Sequence, residues 1–228
     1  MIFHRKTQPV PEHVQSCLNH EKSKKNGKCN CTEVLEQLQK DFKNKCYICE
    51  DKEPHSLNVE HFKPISRYRE LEFDWDNLFF SCSHCNNIKS DKPQYDSILN
   101  CTIESDGVDT KIRYHIEPFP KKQAEIESKE DTEKVNNTVC LLREVYNGTT
   151  IQKKMESANL RSQLLNEIRR FQDLLFQFYD NSNSPEEKEE TKKQIVRELK
   201  PASCFTAFKR WIVRESPDMM EDFAEYLE

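Results

Sequence analysis

Cys46-Tyr47-Ile48-Cys49, Val59-Glu60-His61-Phe62-Lys63-Pro64, Trp75-Asp76-Asn77-Leu78 and Cys82-Ser83-His84-Cys85-Asn86-Asn87-Ile88-Lys89 follow one another within residues 46–92. The two C-x-x-C pairs decide how this stretch folds. Zinc takes four ligands in a tetrahedron with Zn–S bonds of about 2.3 Å, and a C-x-x-C turn offers two sulfurs at once. A thioredoxin-like redox site needs one such pair, not two. Cys46, Cys49, Cys82 and Cys85 therefore read as the ligands of a structural Zn²⁺. A small module with a thin core draws its folding free energy directly from such a metal.

Between and after the pairs the local pattern is legible. Leu57–His61 (LNVEH) reads as a short strand, and Pro64 breaks it. Asn77–Ser81 (NLFFS) reads as a second strand, and a helix starts near His84 and runs to about Asp91, ahead of Pro93. The order is strand, long loop, strand, helix.

Working outward, residues 1–32 are polar, with Glu21–Lys28 (EKSKKNGK) as a loop. Thr32–Phe42 reads as a helix with Thr32 as N-cap and Val34, Leu35, Leu38 and Phe42 on one side. Lys111–Ile116 alternates like a strand, Glu117–Pro120 is a break, and Glu133–Tyr146 reads as a helix. From Ile151 the spacing of Leu160, Leu164, Leu165, Ile168, Phe171, Leu174, Leu175 and Phe178 is that of a long helix. Ser184 and Pro185 open another that ends near Leu199, and Ser203–Arg214 and Pro217–Leu227 read as two more. We divide the chain into an N-terminal segment with a helix (1–45), a central module (46–150) and a helical C-terminal region (151–228). The fold class is α+β.

Composition bounds the function. Only 3 of 228 residues are glycine, and no phosphate-cradling glycine motif occurs. Any nucleotide-driven step would come from a partner. The net charge of −5 speaks against strong autonomous binding of nucleic acid, although counterion release depends only on the cations that reach phosphates. Ten cysteines without a leader-like opening or a membrane-length apolar run point to a cytoplasmic, non-membrane protein whose thiols bind metal rather than pair.

The string of C-x-x-C, acidic-His, Asn-Leu and C-x-x-C followed by Asn and Lys resembles the HNH endonuclease family in its cysteine-rich form, over about residues 46–92. That resemblance implies a ββα-metal (His-Me finger) module. It implies that His61 is the general base, and a neutral imidazole near pH 7 suits that task. It implies that Glu60 and Asn86 ligate a catalytic Mg²⁺ or Mn²⁺, oxygen donors being what hard cations take. Asn77 would hold the loop between the strands through side-chain to backbone hydrogen bonds, and Lys89 would touch the scissile phosphate. Asn86 departs from the final His of the family name and makes an H-N-N variant. The expected reaction is metal-dependent hydrolysis of phosphodiester bonds in DNA. RNA is the alternative substrate, and a non-catalytic zinc-binding adaptor the alternative function.

The same string, with the prolines and basic residues near the start and the helical tail, is similar to a bacterial subgroup containing the nuclease subunits of Septu-type and retron-associated anti-phage systems. There the nuclease works with an ATPase subunit, so an ATPase partner is implied. The apolar stripes of the tail fit an internal core, a partner contact or a homo-oligomer equally. Two weaker readings concern further sites. Cys17, His20, Cys29 and Cys31 stand within fifteen residues as a second zinc set, and Lys63 and Arg67 as grips on substrate phosphate.

Overall fold

Val59 and Phe80 face each other across an antiparallel pair formed by β1 (Leu57–His61) and β2 (Leu78–Cys82), with Leu57 opposite Cys82 and His61 opposite Leu78. All five residues of β2 are buried, as befits a short strand with packing on both faces. α3 (Ser83–Lys89) starts without a spacer, and Cys82 is both the last strand residue and the helix N-cap, its sulfur accepting from the Cys85 amide. The computed structural model describes residues 1–52, 54, 56–119 and 123–227.

Around this ββα unit the chain adds helices on both sides. α1 (Glu12–Ser23) and α2 (Thr32–Asp41) pack on each other, and α2 also packs on β1 and β2. β3 (Ile112–Glu117) and β4 (Gln123–Ser128) form a second antiparallel pair covered by α4 (Glu133–Asn147). α5 (Ile151–Tyr179), α6 (Pro185–Leu199), α7 (Thr206–Arg214) and α8 (Pro217–Phe223) complete the fold. The class is mixed α+β, with two small sheets among the described residues. Among the described residues no helix is long and apolar enough to cross a membrane.

The apolar interior forms two clusters, and they do not follow the chain divisions at 45 and 150. Val14, Leu18, Leu38 and Phe42 from the N-terminal helices share one core with Phe79, Tyr114, Leu142 and the first half of α5 (Leu160, Leu164, Ile168). Phe171 and Leu175, further along α5, join Ile195, Leu199, Val213 and Phe223 in a second. One long helix thus spans both cores.

Three local expectations are corrected. α1 occupies residues 12–23, where the sequence reading gave only a polar segment, and it takes in the first three residues of the Glu21–Lys28 loop, because Val14 and Leu18, four apart, are buried at one stripe while the rest is polar. β4 stands where the sequence offers no clear strand: Ala124 and Ile126 alternate with charged residues, a weak signal that only the pairing with β3 turns into a strand. Thr32 is the first residue of α2, not its cap. Cys31 holds the cap position without a side-chain hydrogen bond. Of the break at Glu117–Pro120, Pro120 lies outside the described residues.

Candidate active site and metal clamp

The sulfurs of Cys46, Cys49, Cys82 and Cys85 all lie within 4.8 Å of one another, and all four residues are buried. Cys49 and Cys82 are 3.9 Å apart at sulfur, close to the ~3.8 Å that bonds of about 2.3 Å to a tetrahedral zinc would produce. The first turn hangs on β2 through the Tyr47 amide, which donates to the Phe80 carbonyl at 2.9 Å. Tyr146 of α4 donates its hydroxyl to the Cys49 carbonyl at 2.7 Å. Burial opposes ionisation throughout. At Cys46 hydrogen bonds from the other three thiols outweigh it and hold the group well below its ordinary range, while Cys49 and Cys85 are pushed well above it. Four buried sulfurs this close together are the donor set of a sulfur-bound metal, and they fit zinc. His84, within the second turn, faces Glu156 at 2.9 Å with Nδ1 and the Val145 carbonyl at 2.9 Å with Nε2, so it braces α3 and is not a fifth ligand.

The alternation of β1 sends Glu60 and His61 to opposite faces. Glu60 is buried, and its Oε1 accepts from the Lys89 ammonium at 2.6 Å. Lys89, 2% exposed, also donates to the His61 carbonyl at 3.0 Å. Lys89 is therefore a clamp between α3 and β1 and is not aimed at a phosphate. That corrects the sequence expectation, and the reason is the buried carboxylate one strand away. Glu60 Oε2 is buried without a hydrogen bond of ordinary geometry, and the buried Tyr47 hydroxyl faces the same carboxylate, burial and then this charge pushing the phenol well above its ordinary range; an oxygen of this kind is the donor a hard cation takes. Asn86, half-buried on the first turn of α3, is on the same short helix as Lys89.

His61 is half-buried at the end of its strand. Its Nε2 lies 2.9 Å from the Glu72 carbonyl oxygen, an atom that can only accept. Nε2 therefore carries the hydrogen of the neutral ring, and the lone pair is left on Nδ1. The Cys29 sulfur lies 3.5 Å from the same Nε2, and burial pushes that thiol up to about 11. The Glu72 carbonyl and Cys29 are contacts that sequence reading does not reach. A backbone carbonyl has no side-chain signature, and Cys29 is far away along the chain.

Asn77 is buried within the loop it closes. Its Oδ1 accepts from the Lys63 amide at 2.7 Å, and its Nδ2 donates to the carbonyls of Lys63 (3.0 Å) and Leu71 (3.2 Å). Lys63 donates its ammonium to the Asp96 carbonyl, and Arg67 grips the Asp96 carboxylate through Nε and Nη2 at 2.7 and 2.6 Å. Both cations expected on substrate phosphate are thus engaged by the protein, because Asp96 lies between them. Within the N-terminal set, Cys17 and Cys31 form a disulfide close to Glu33, whereas Cys29 turns to His61.

With that geometry in view, comparison with known proteins is informative. Residues 46–92 match the model of the HNH endonuclease family, so the chain carries an HNH module there. The chain is also 38% identical over 66 residues to Septu protein PtuB of Bacillus thuringiensis, a match covering 27% of this chain and 26% of that relative. The aligned part thus spans about a quarter of the length of the curated relative.

Proposed function

We propose that this chain is a metal-dependent HNH endonuclease that hydrolyses phosphodiester bonds in DNA, acting with an ATPase partner in anti-phage defence. The observation that carries the chemical part is the His61 ring, fixed through Nε2 on the Glu72 carbonyl so that Nδ1 is left as the basic nitrogen. In this reading Nδ1 takes a proton from water as the oxygen attacks phosphorus. The P–O ester bond on the far side breaks, and the leaving oxygen takes a proton from solvent. Glu60 and Asn86 would hold Mg²⁺ or Mn²⁺, which when bound polarises the phosphate. Asn77 keeps the loop that presents the Glu72 carbonyl closed, and the four cysteines hold zinc away from the reaction. The defence role and the ATPase partner rest on the resemblance to the Septu protein and on the absence of a nucleotide loop in this sequence.

One observation favours a second reading, that of a zinc-held adaptor that does not cut. The Lys89 ammonium already neutralises Glu60 and competes with a second cation there. Plasmid cleavage with Mg²⁺ or Mn²⁺ separates the two, using the chain co-purified with its ATPase. The wild type cuts, and His61→Ala is slower by at least about a hundredfold, the scale of general-base catalysis. Equal cutting by both proteins would remove His61 from its role, and no cutting by either would favour the adaptor.

A further inference from the structure

The last turn of α1 and the loop after it carry Lys22, Lys24, Lys25 and Lys28 within seven residues, all exposed. It leads straight into Cys29, whose sulfur rests 3.5 Å from His61 Nε2. The loop is a built object. Glu21 accepts from the Lys24 ammonium at 2.5 Å and, with its other oxygen, from the Lys28 amide at 3.0 Å. Gly27 closes onto the same residue, so tightly that a Cβ there would stand 1.8 Å from the Glu21 carbonyl oxygen. The Cys17–Cys31 disulfide ties the two flanks of the loop together. Glu21 is the one acid in the segment and is spent on its shape. Among the described residues no ion pair engages Lys22, Lys25 or Lys28.

We propose that this lysine loop is where the backbone of duplex DNA lies against the module, delivering the scissile phosphate to His61. The inference rests on the nuclease reading above and adds the surface that holds the substrate. Three observations carry it. Charge is complementary: an acidic chain (net −5) concentrates unpaired ammonium groups here, while Lys63 and Arg67 beside the active site are tied to Asp96. Position is right: the loop runs directly into Cys29, whose sulfur lies 3.5 Å from His61 Nε2, so it flanks the ring on that side. Shape is fixed in advance, so the lysines do not have to be ordered when the duplex arrives. Lysines contacting phosphate read no sequence and set affinity and register.

The test measures binding by fluorescence anisotropy with a labelled duplex of about 30 base pairs, in a His61→Ala background that does not cut, between about 50 and 200 mM salt. Lys22→Gln/Lys25→Gln/Lys28→Gln is expected to weaken binding more than about fivefold and to flatten the log K against log salt slope by about 0.9 for each phosphate that no longer meets an ammonium group. Lys192→Gln/Lys193→Gln/Lys200→Gln, on and just after α6, removes the same charge and should leave both unchanged. Gly27→Ala keeps every charge but spoils the loop, and should also weaken binding. All variants are surface or loop changes, and their thermal melts are compared to confirm folding.

Unchanged affinity and slope in the loop variant, with the parent binding duplex and the His61 protein cutting it, would overturn the loop and leave the nuclease reading standing. A parent that ignores duplex DNA, or prefers an RNA duplex of equal length, would overturn the reading of the substrate and the inference with it.

Discussion

The clamp and the His61 end of the module lie at opposite ends of the β1–β2 pair, Cys82 opposite Leu57 and His61 opposite Leu78, and are built on opposite principles. At the clamp, four sulfurs are buried and mutually close, held by the backbone of β2 and the Tyr146 hydroxyl. At the other end, one half-buried imidazole is held by the Glu72 carbonyl and the Cys29 sulfur, and the loop beside it is closed by one amide side chain. Rigidity is concentrated at the sulfur cluster, and the His61 end is held by fewer contacts.

Three perturbations would break or sharpen that contrast, in falling order of effect. Removing the clamp comes first. Cys85→Ala, or chelation at neutral pH, should abolish the cooperative melt of the central module, because structural zinc supplies on the order of 10 kcal/mol to such folds. Metal analysis should find about one zinc per chain before treatment and none after. A chain that melts normally without metal would show that the sulfurs are ordinary core.

Second is the tie between the two ends. Lys89→Met leaves Glu60 charged and unpaired in the interior and should cost about 3–5 kcal/mol by urea denaturation. Lys89→Met/Glu60→Gln should recover most of that stability, since the cost comes from the orphaned charge. If the double variant is as weak as the single, the ion pair is not what joins α3 to β1.

Third is a buried histidine that contrasts with His61. His4 is buried against Phe42, with both ring nitrogens unpaired, and burial followed by the nearby Lys45 charge lowers it from 6.5 to about 3. The unfolded chain therefore takes up a proton below pH 6.5 that the folded chain refuses until about pH 3. This group's stability contribution is present above pH 6.5 and is lost as pH falls, by up to about 1.4 kcal/mol per unit. His4→Phe should flatten the decline of the melting temperature between pH 6.5 and 4.5, with the effect reaching about 3 kcal/mol at the lower limit. An unchanged pH profile would move the acid sensitivity elsewhere.

Much of this is legible in the sequence because it is local. A C-x-x-C turn, a strand of five residues and a capped helix are each set by neighbours in sequence, and β1, β2 and α3 lie where their residues indicate. The roles that depend on distant partners are not. Lys89 carries the charge expected of a phosphate ligand, but Glu60 across the sheet claims it. Arg67 is basic and free in sequence terms, yet Asp96 takes its Nε and Nη2 and the Asp91 carbonyl its Nη1. Cys29 has the spacing of a member of a second zinc set, and only the folded chain sets it against His61 while its neighbours Cys17 and Cys31 bond to each other. α1 and β4 escape a sequence reading because two apolar residues in a polar stretch announce little until another element covers them.

At the elbow between β2 and α3, one residue terminates a strand, begins a helix and belongs to the four-sulfur cluster. Such a joint has no slack. Adding or deleting a single residue after Cys82 would turn the helix by about 100°, swinging Lys89 off the β1 side. Length variation in proteins of this design therefore has to be absorbed in the long loop between the strands, where Asn77 can still close whatever is inserted.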